Sequence, residues 1–129
     1  MLLVNVSLKP SAIHGLGCFT DENIQQGQRV WVFDERLDMQ IPVAELPALP
    51  PPAQAFLARY GYEETRAGQA VLVLCGDLAR HMNHSTAPNL FETPERANIA
   101  ARDIAAGEEL TCNYYDFDGR ADQKLSGPA

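Results

Sequence analysis

The residues best suited to chemistry fall in two stretches of the chain. One reads Asp77, Leu78, Ala79, Arg80, His81, Met82, Asn83, His84, Ser85 and runs into a Pro88, Asn89 turn; the other reads Glu109, Leu110, Thr111, Cys112, Asn113, Tyr114, Tyr115, Asp116, Phe117. The first sets an amide and an imidazole directly after a short apolar run, which fixes them at a corner. The second reads as a strand ending in an aromatic cluster interleaved with acids. His81 and His84 stand three apart, but no third ligand is spaced to complete a set, so no metal is expected. Cys18, Cys75 and Cys112 form no Cys-x-x-Cys pair, which argues against a zinc ribbon or a disulfide framework. What remains is an amide, an imidazole and phenols, groups that hold and orient a ligand. The two stretches are expected to meet in space and form the working site.

The elements that must position them are short. Leu2 to Leu8 alternates loosely and reads as a first strand closed by Lys9, Pro10 and Ser11. A corner with Gly15 and Gly17 follows, where backbone conformations closed to other residues become available. Asn23 to Val30 and Asp103 to Leu110 share one pattern, an apolar anchor, two linking residues, a glycine and a return to strand, and so predict two similar turns. Val30 to Phe33, with Trp31, reads as a strand. Pro42, Pro47, Pro50, Pro51 and Pro52 exclude an interior strand and predict an ordered surface loop. A helix is expected from about Ala53 to Tyr60 with Gly61 as its stop. Charged Glu63 to Arg66 then leads into Ala70 to Cys75, an apolar run of the right length for a buried strand. Asp77 is placed to cap one helical turn through Met82. Short strands at Leu90, Phe91 and at Ala97 to Ala101 precede the last strand, Leu110 to Tyr114.

Length and charge bound the rest. The 129 residues, 46% of them hydrophobic, suit one folded domain, taken as residues 1–118, with 119–129 as a polar, flexible tail. Ten basic against 17 acidic residues give a net charge of -7, which argues against direct nucleic-acid binding and favours a basic peptide partner. No run approaches the roughly 18 apolar residues of a membrane span. A soluble, cytoplasmic protein is expected.

Three pieces line up in order: Gly15, Leu16, Gly17; Arg80, His81, Met82, Asn83, His84, Ser85 with Pro88, Asn89; and Gly107, Glu108, Glu109, Leu110, Thr111, Cys112, Asn113, Tyr114. The chain resembles the SET-domain family of protein lysine methyltransferases over about Val4 to Phe117. The resemblance implies a mainly β fold of several small sheets, one or two short helices and a C-terminal pseudoknot that joins the last two blocks. It implies S-adenosylmethionine as methyl donor, with Gly15, Leu16, Gly17, Arg80, Asn83 and His84 around it and Phe117 stacking on its adenine. Tyr114 falls at the catalytic tyrosine, with Cys112 and Tyr115 along the substrate channel.

The chemistry suits these residue types. A lysine side chain titrates near 10.4, so its nucleophilic neutral form costs about 4 to 5 kcal/mol at neutral pH. A cationic donor in a dry channel lowers that cost by repulsion and desolvation, so no strong base is required, only alignment. Asp116 and Asp118 are expected to attract a basic peptide. Three positions depart from the family pattern: His81 where an aromatic is usual, Thr86 where a cysteine is usual, and the small Cys112 where Phe or Tyr often stands, which favours transfer of more than one methyl. The cysteine clusters that flank many members are missing, so the channel wall is expected from Tyr60, Tyr62 or a second subunit in a homodimer. The alternative reading is a SET-like binding module without catalysis.

Overall fold

Two turns facing each other organise the chain. In the computed structural model, which describes residues 1–126, Ile24 and Ile104 exchange both backbone N–H···O bonds at 2.8 Å. The side chains close the pair reciprocally: Asn23 Oδ1 accepts the Ala106 N–H at 2.9 Å and Asp103 Oδ1 accepts the Gln26 N–H at 2.8 Å. Gly27 and Gly107 turn the chain with φ of 84° and 93°, the left-handed region where a side chain is penalised. The repeat in the sequence is therefore a local near-symmetry in space, and both isoleucines are buried at its centre.

Strands radiate from it in four small sheets. β1 (Val6–Pro10) pairs antiparallel with β2 (Leu16–Thr20). β3 (Arg29–Val32), β8 (Leu90–Thr93) and β9 (Ala97–Ala100) form an antiparallel sheet in the order β3-β9-β8. β4 (Met39–Pro42), β5 (Tyr62–Arg66) and β6 (Gln69–Leu74) form a second, in the order β4-β6-β5. β7 (Asn83–His84) pairs parallel with β10 (Thr111–Cys112), the crossing expected of the pseudoknot. With α1 (Pro51–Tyr60), α2 (Ala121–Ser126) and three 3-10 turns, this is the mainly β architecture anticipated from the sequence. No helix among the described residues is long and apolar enough to cross a membrane.

One core cluster gathers Val4, Cys18, Ile24, Val30, Leu90, Ile104 and Leu110, and a second holds Trp31, Tyr62, Val71, Val73 and Cys75. A buried Ile or Leu contributes roughly 1.5–3 kcal/mol. β6 is central in its sheet, as its apolar run predicts, and Pro42 closes β4 at the edge, where a missing N–H costs nothing.

Three of the differences from the sequence reading bear on how the cleft is built. β1 lies at Val6–Pro10, while Leu2 bridges to Trp31 instead. The charged Glu63 to Arg66 segment is itself strand β5, joined to β6 by a two-residue turn at Ala67 and Gly68 with φ of 50° and 77°. That twist matches a hairpin, and the charges sit on a sheet-edge strand. Residues 119–126, read as a flexible tail, are packed: Gly119 N–H donates to Glu63 O at 2.9 Å, Ala121 is buried, and Lys124 pairs with buried Asp118 at 2.7 Å. Residues 127–129 lie outside the described residues.

Two glycines separate steric from conformational need. A Cβ on Gly76 would overlap the Leu37 carbonyl, which is backbone and cannot yield cheaply, whereas Gly68 has open space but a φ of 77°. Gly76→Ala should cost about 3 kcal/mol or more and Gly68→Ala about 1 to 2. Urea midpoints measure both, and equal losses would contradict the account.

Candidate active site

The corner that presents Asn83 begins with a cap. Asp77 accepts the Ala79 N–H at 3.1 Å and the Leu2 N–H at 2.7 Å, so the 3-10 turn Leu78–His81 starts at a fixed place. The turn delivers Met82 and then β7. Across the parallel pair, Asn83 stands opposite Thr111 and His84 opposite Cys112, which brings together residues some thirty positions apart.

A two-residue pair is weak alone, and side chains reinforce it. Asn89 holds the incoming strand on both sides of Leu110, donating to Glu109 O at 2.8 Å and accepting the Thr111 N–H at 2.8 Å. The Asn83 amide donates to His14 O at 3.0 Å, Leu16 O at 3.1 Å and Glu109 Oε2 at 2.9 Å. Ser11 adds its hydroxyl to the same carboxylate at 2.7 Å. Gly15, Leu16 and Gly17 are thus drawn against Asn83. A Cβ on Gly17 would overlap Glu109 Oε2, so that glycine is needed for close approach; Gly15, with φ of 48° and open space above it, is needed for its conformation.

Tyr114 follows β10 in a 3-10 turn that Asn113 caps by accepting the Tyr115 N–H at 3.0 Å. Both ends of Tyr114 are tied to the β7 corner: its N–H donates to His84 Nδ1 at 3.1 Å and its hydroxyl donates to Met82 O at 2.7 Å. Nδ1 as acceptor puts the proton of neutral His84 on Nε2. Burial pushes the Tyr114 phenol well above its ordinary range, with nearby Cys112 and Asp118 adding to the rise, so it stays protonated at neutral pH.

Tyr114 lines a cleft whose walls include Trp31, Tyr60, Tyr62, Cys112 and Phe117. Tyr60 comes from the end of α1 and Tyr62 from β5, so one chain furnishes the aromatic wall. Cys112 is 4% exposed, and burial raises its thiol far above the usual value. Phe117 packs edge-on to Tyr62 at 5.1 Å and to Tyr114 at 6.0 Å and lines the cleft. Arg80 also lines the cleft; its Nε donates to Cys75 O at 3.1 Å and its guanidinium lies 5.4 Å from the Phe56 ring centroid.

Two expectations fail on geometry. Tyr115 is 57% exposed, edge-on to His84 at 5.7 Å, and absent from the cleft wall. Adjacent residues of a 3-10 turn diverge, so Tyr114 enters the cleft and Tyr115 faces out. Asp118 offers no exposed charge to a peptide, because it is buried, accepts the Glu63 and Arg120 N–H groups and pairs with Lys124. Four residues were missed in the sequence. Glu109 sat inside a recognised block and Asn89 in a recognised turn, where each read as part of the pattern. Glu92 and Lys124 gave no signal, although both line the cleft and the Lys124 Nζ lies 5.4 Å from the Tyr114 ring centroid.

Asn83→Ala would leave the Glu109 carboxylate without its amide donor and free the His14 to Gly17 turn. Hydrogen bonds to a charged group are worth about 1.5–3 kcal/mol, and thermal unfolding should report a loss in that range. Asn83→Asp, which sets two carboxylates side by side, should cost more; a loss under about 0.5 kcal/mol in either would contradict the tie.

No curated protein matches the chain. Solved structures do: a humanized mutant of the Chaetomium thermophilum Polycomb Repressive Complex 2 bound to an inhibitor matches with TM-score 0.66 and 24% identity over 93% of this chain and 16% of that one. ctPRC2 in an autoinhibited conformation bound to S-adenosylmethionine gives TM-score 0.68 and 24% identity, over 95% of this chain and 16% of that chain. Apo ctPRC2 with two substitutions in Ezh2 gives 0.70 and 25% identity, again over 95% and 16%. At 24% identity the first two carry the fold alone, and this chain spans 16% of the length of each neighbour. The model of the SET domain matches residues 15–115, from the Gly15 turn through the Asn83 corner to the Tyr114 turn. With that match over most of its length, the chain belongs to the SET-domain family.

Proposed function

We propose that this chain transfers a methyl group from S-adenosylmethionine to the side-chain amine of a lysine in a basic protein substrate. The observation that carries the reading is a protonated phenol, Tyr114, pinned at both ends beside the Asn83 corner and facing an aromatic cleft. The corner fits the head group of such a donor: two main-chain carbonyls, from His14 and Leu16, and the Glu109 carboxylate converge on one amide. An acceptor set of that kind suits an α-ammonium group, and the open space above Gly15 leaves room for approach.

When bound, the donor supplies a methyl carbon made electrophilic by the attached sulfonium. The chain's own residues then have to orient the amine and keep water out. Trp31, Tyr60, Tyr62 and Phe117 form walls that desolvate an entering side chain, which lowers a lysine's pKa toward neutrality. Tyr114 does not act as a base, since its phenol stays protonated; it acts as a fixed surface and hydrogen-bonding edge that aligns the nitrogen. The small Cys112 leaves room for more than one methyl. Three free, buried cysteines suit a reducing compartment, and a cytoplasmic location is part of this proposal.

A second reading, a SET-like binding module without transfer, is favoured by Lys124. Its ammonium already stands over the Tyr114 ring, where it bonds Gly61 O and Asp118. Calorimetry with the donor and mass spectrometry of basic peptides separate the two. Wild type should bind the donor and add methyl to lysine; Tyr114→Phe should bind it within about threefold and lose at least about 100-fold in rate. Donor binding without transfer supports the module, and no donor binding at all removes the enzyme.

A further inference from the structure

One row of side chains in the cleft has no use within the chain. On the β3-β9-β8 sheet, Asn98 stands opposite Trp31 on one neighbour and opposite Glu92 on the other, so the three share one face. All three line the cleft with Tyr114, and Tyr62 faces it from β5. Each carries a buried polar atom without a hydrogen-bond partner: Trp31 Nε1, Glu92 Oε2, Asn98 Oδ1 and the Tyr62 hydroxyl. Trp31 and Tyr62 are 2% and 8% exposed. Folded proteins pair the great majority of such groups, so four in one cleft mark a place where something else supplies the partner.

The chemistry of the set says what that partner is. A carboxylate oxygen, an amide oxygen and a phenol oxygen are three acceptors, and a primary ammonium has three N–H donors. Among the described residues, Arg59 and Arg80 also line the cleft, with their guanidiniums over the Tyr60 and Phe56 rings, and Arg96 keeps a buried Nε without a partner. Arg66 and Arg96 are engaged with Glu64, and Lys124 with Asp118 and Gly61 O. We propose that Glu92, Asn98 and the Tyr62 hydroxyl form the acceptor set that captures the substrate lysine as its ammonium, with Glu92 providing the counter-charge, before a proton is lost to solvent and the neutral amine reacts. This rests on the methyltransferase reading and adds to it a residue-level origin for the capture of a cationic side chain.

The charge on Glu92 is adjustable. Burial first, then the neighbouring charge of Glu64 and more weakly that of Asp116, push its carboxyl up to about 7, while Arg66 and Arg96 pull it back. Tyr62, Cys112 and Lys124 also line the cleft that it enters. A carboxyl with a raised pKa is neutral below that value and ionised above it. Cation uptake therefore strengthens as pH rises from 6 to 8.

The test uses the full chain without donor and reads the fluorescence of Trp31, its one tryptophan. The probe is n-butylammonium chloride, the side chain of lysine alone, against neutral 1-butanol and against n-butyltrimethylammonium, with sodium chloride as the salt control. Butylammonium should bind about tenfold more tightly than either competitor, more tightly at pH 8 than at pH 6. Glu92→Gln should abolish both the preference and the pH dependence. Equal binding of butylammonium and butanol to wild type overturns the proposal, as does a preference that survives in Glu92→Gln. Where that variant does not fold by circular dichroism, the wild-type preference and its pH dependence decide alone. Methyl transfer by a wild type without this preference sinks the acceptor set and leaves the enzyme standing; the preference without donor binding does the reverse.

Discussion

The amide of Asn83 is the constraint on which the rest depends. It holds the carbonyls of a turn near residue 15 and a carboxylate at residue 109, while the backbone of the same residue pairs with Thr111. Closing loops of this size costs entropy that grows only slowly with length, so the difficulty is local. Two paired residues on β7 and β10 cannot fix an orientation. Asn89 supplies the missing ladder bonds from its side chain, and His84 carries the alignment forward by accepting the Tyr114 N–H. Each device replaces length of sheet with a side-chain hydrogen bond.

The paired turns at Ile24 and Ile104 set the distances over which those bonds operate. Gly27 N–H reaches Ala100 O and Gly107 N–H reaches Thr20 O, so each turn is anchored on a strand leading into the other. One turn aims β3, whose Trp31 becomes a cleft wall; the other aims Glu109 and Thr111 at the β7 corner. A shift at the shared isoleucines would move both walls together. Near-symmetry here is a way of keeping two functional surfaces in register with one apolar contact.

Much of this was legible in the sequence, for reasons that differ by residue. The Gly15, Asn83 and Tyr114 blocks were readable because their backbone demands leave few alternatives: a left-handed turn, a capped corner, a strand running into a turn. β6 was readable from its apolar run. β5 was not, because Glu63, Glu64 and Arg66 on a sheet edge look like a connection and only the Ala67, Gly68 twist marks a hairpin. Tyr115 was misplaced because adjacency in sequence says nothing about which side of a 3-10 turn a ring takes. Phe117 takes its place from packing against Tyr62, on the strand β5 that the sequence does not announce. Lys124 could not be found at all, since its meaning comes from Asp118 and the carbonyl of Gly61, a helix end some sixty positions earlier.

The β7 corner divides two chemistries across a single strand. The Asn83 side chain turns to the carbonyls and carboxylate near Gly15, while the Met82 carbonyl just before it takes the Tyr114 hydroxyl on the cleft side. Met82 and Asn83 follow one another in extended backbone, so their side chains take opposite faces, and Met82 lines the cleft. A ligand held at one face and a side chain entering at the other would meet only across this strand, at the phenol. The opposed charges follow the same division: Glu109 is matched by Asn83 and Ser11, whereas Glu92, in the cleft, has an oxygen left without a partner. An acid matched at the corner and an acid with an unpartnered oxygen in the cleft make the two sides of the strand electrostatically unlike, and under the proposed function a cation would be drawn to the second.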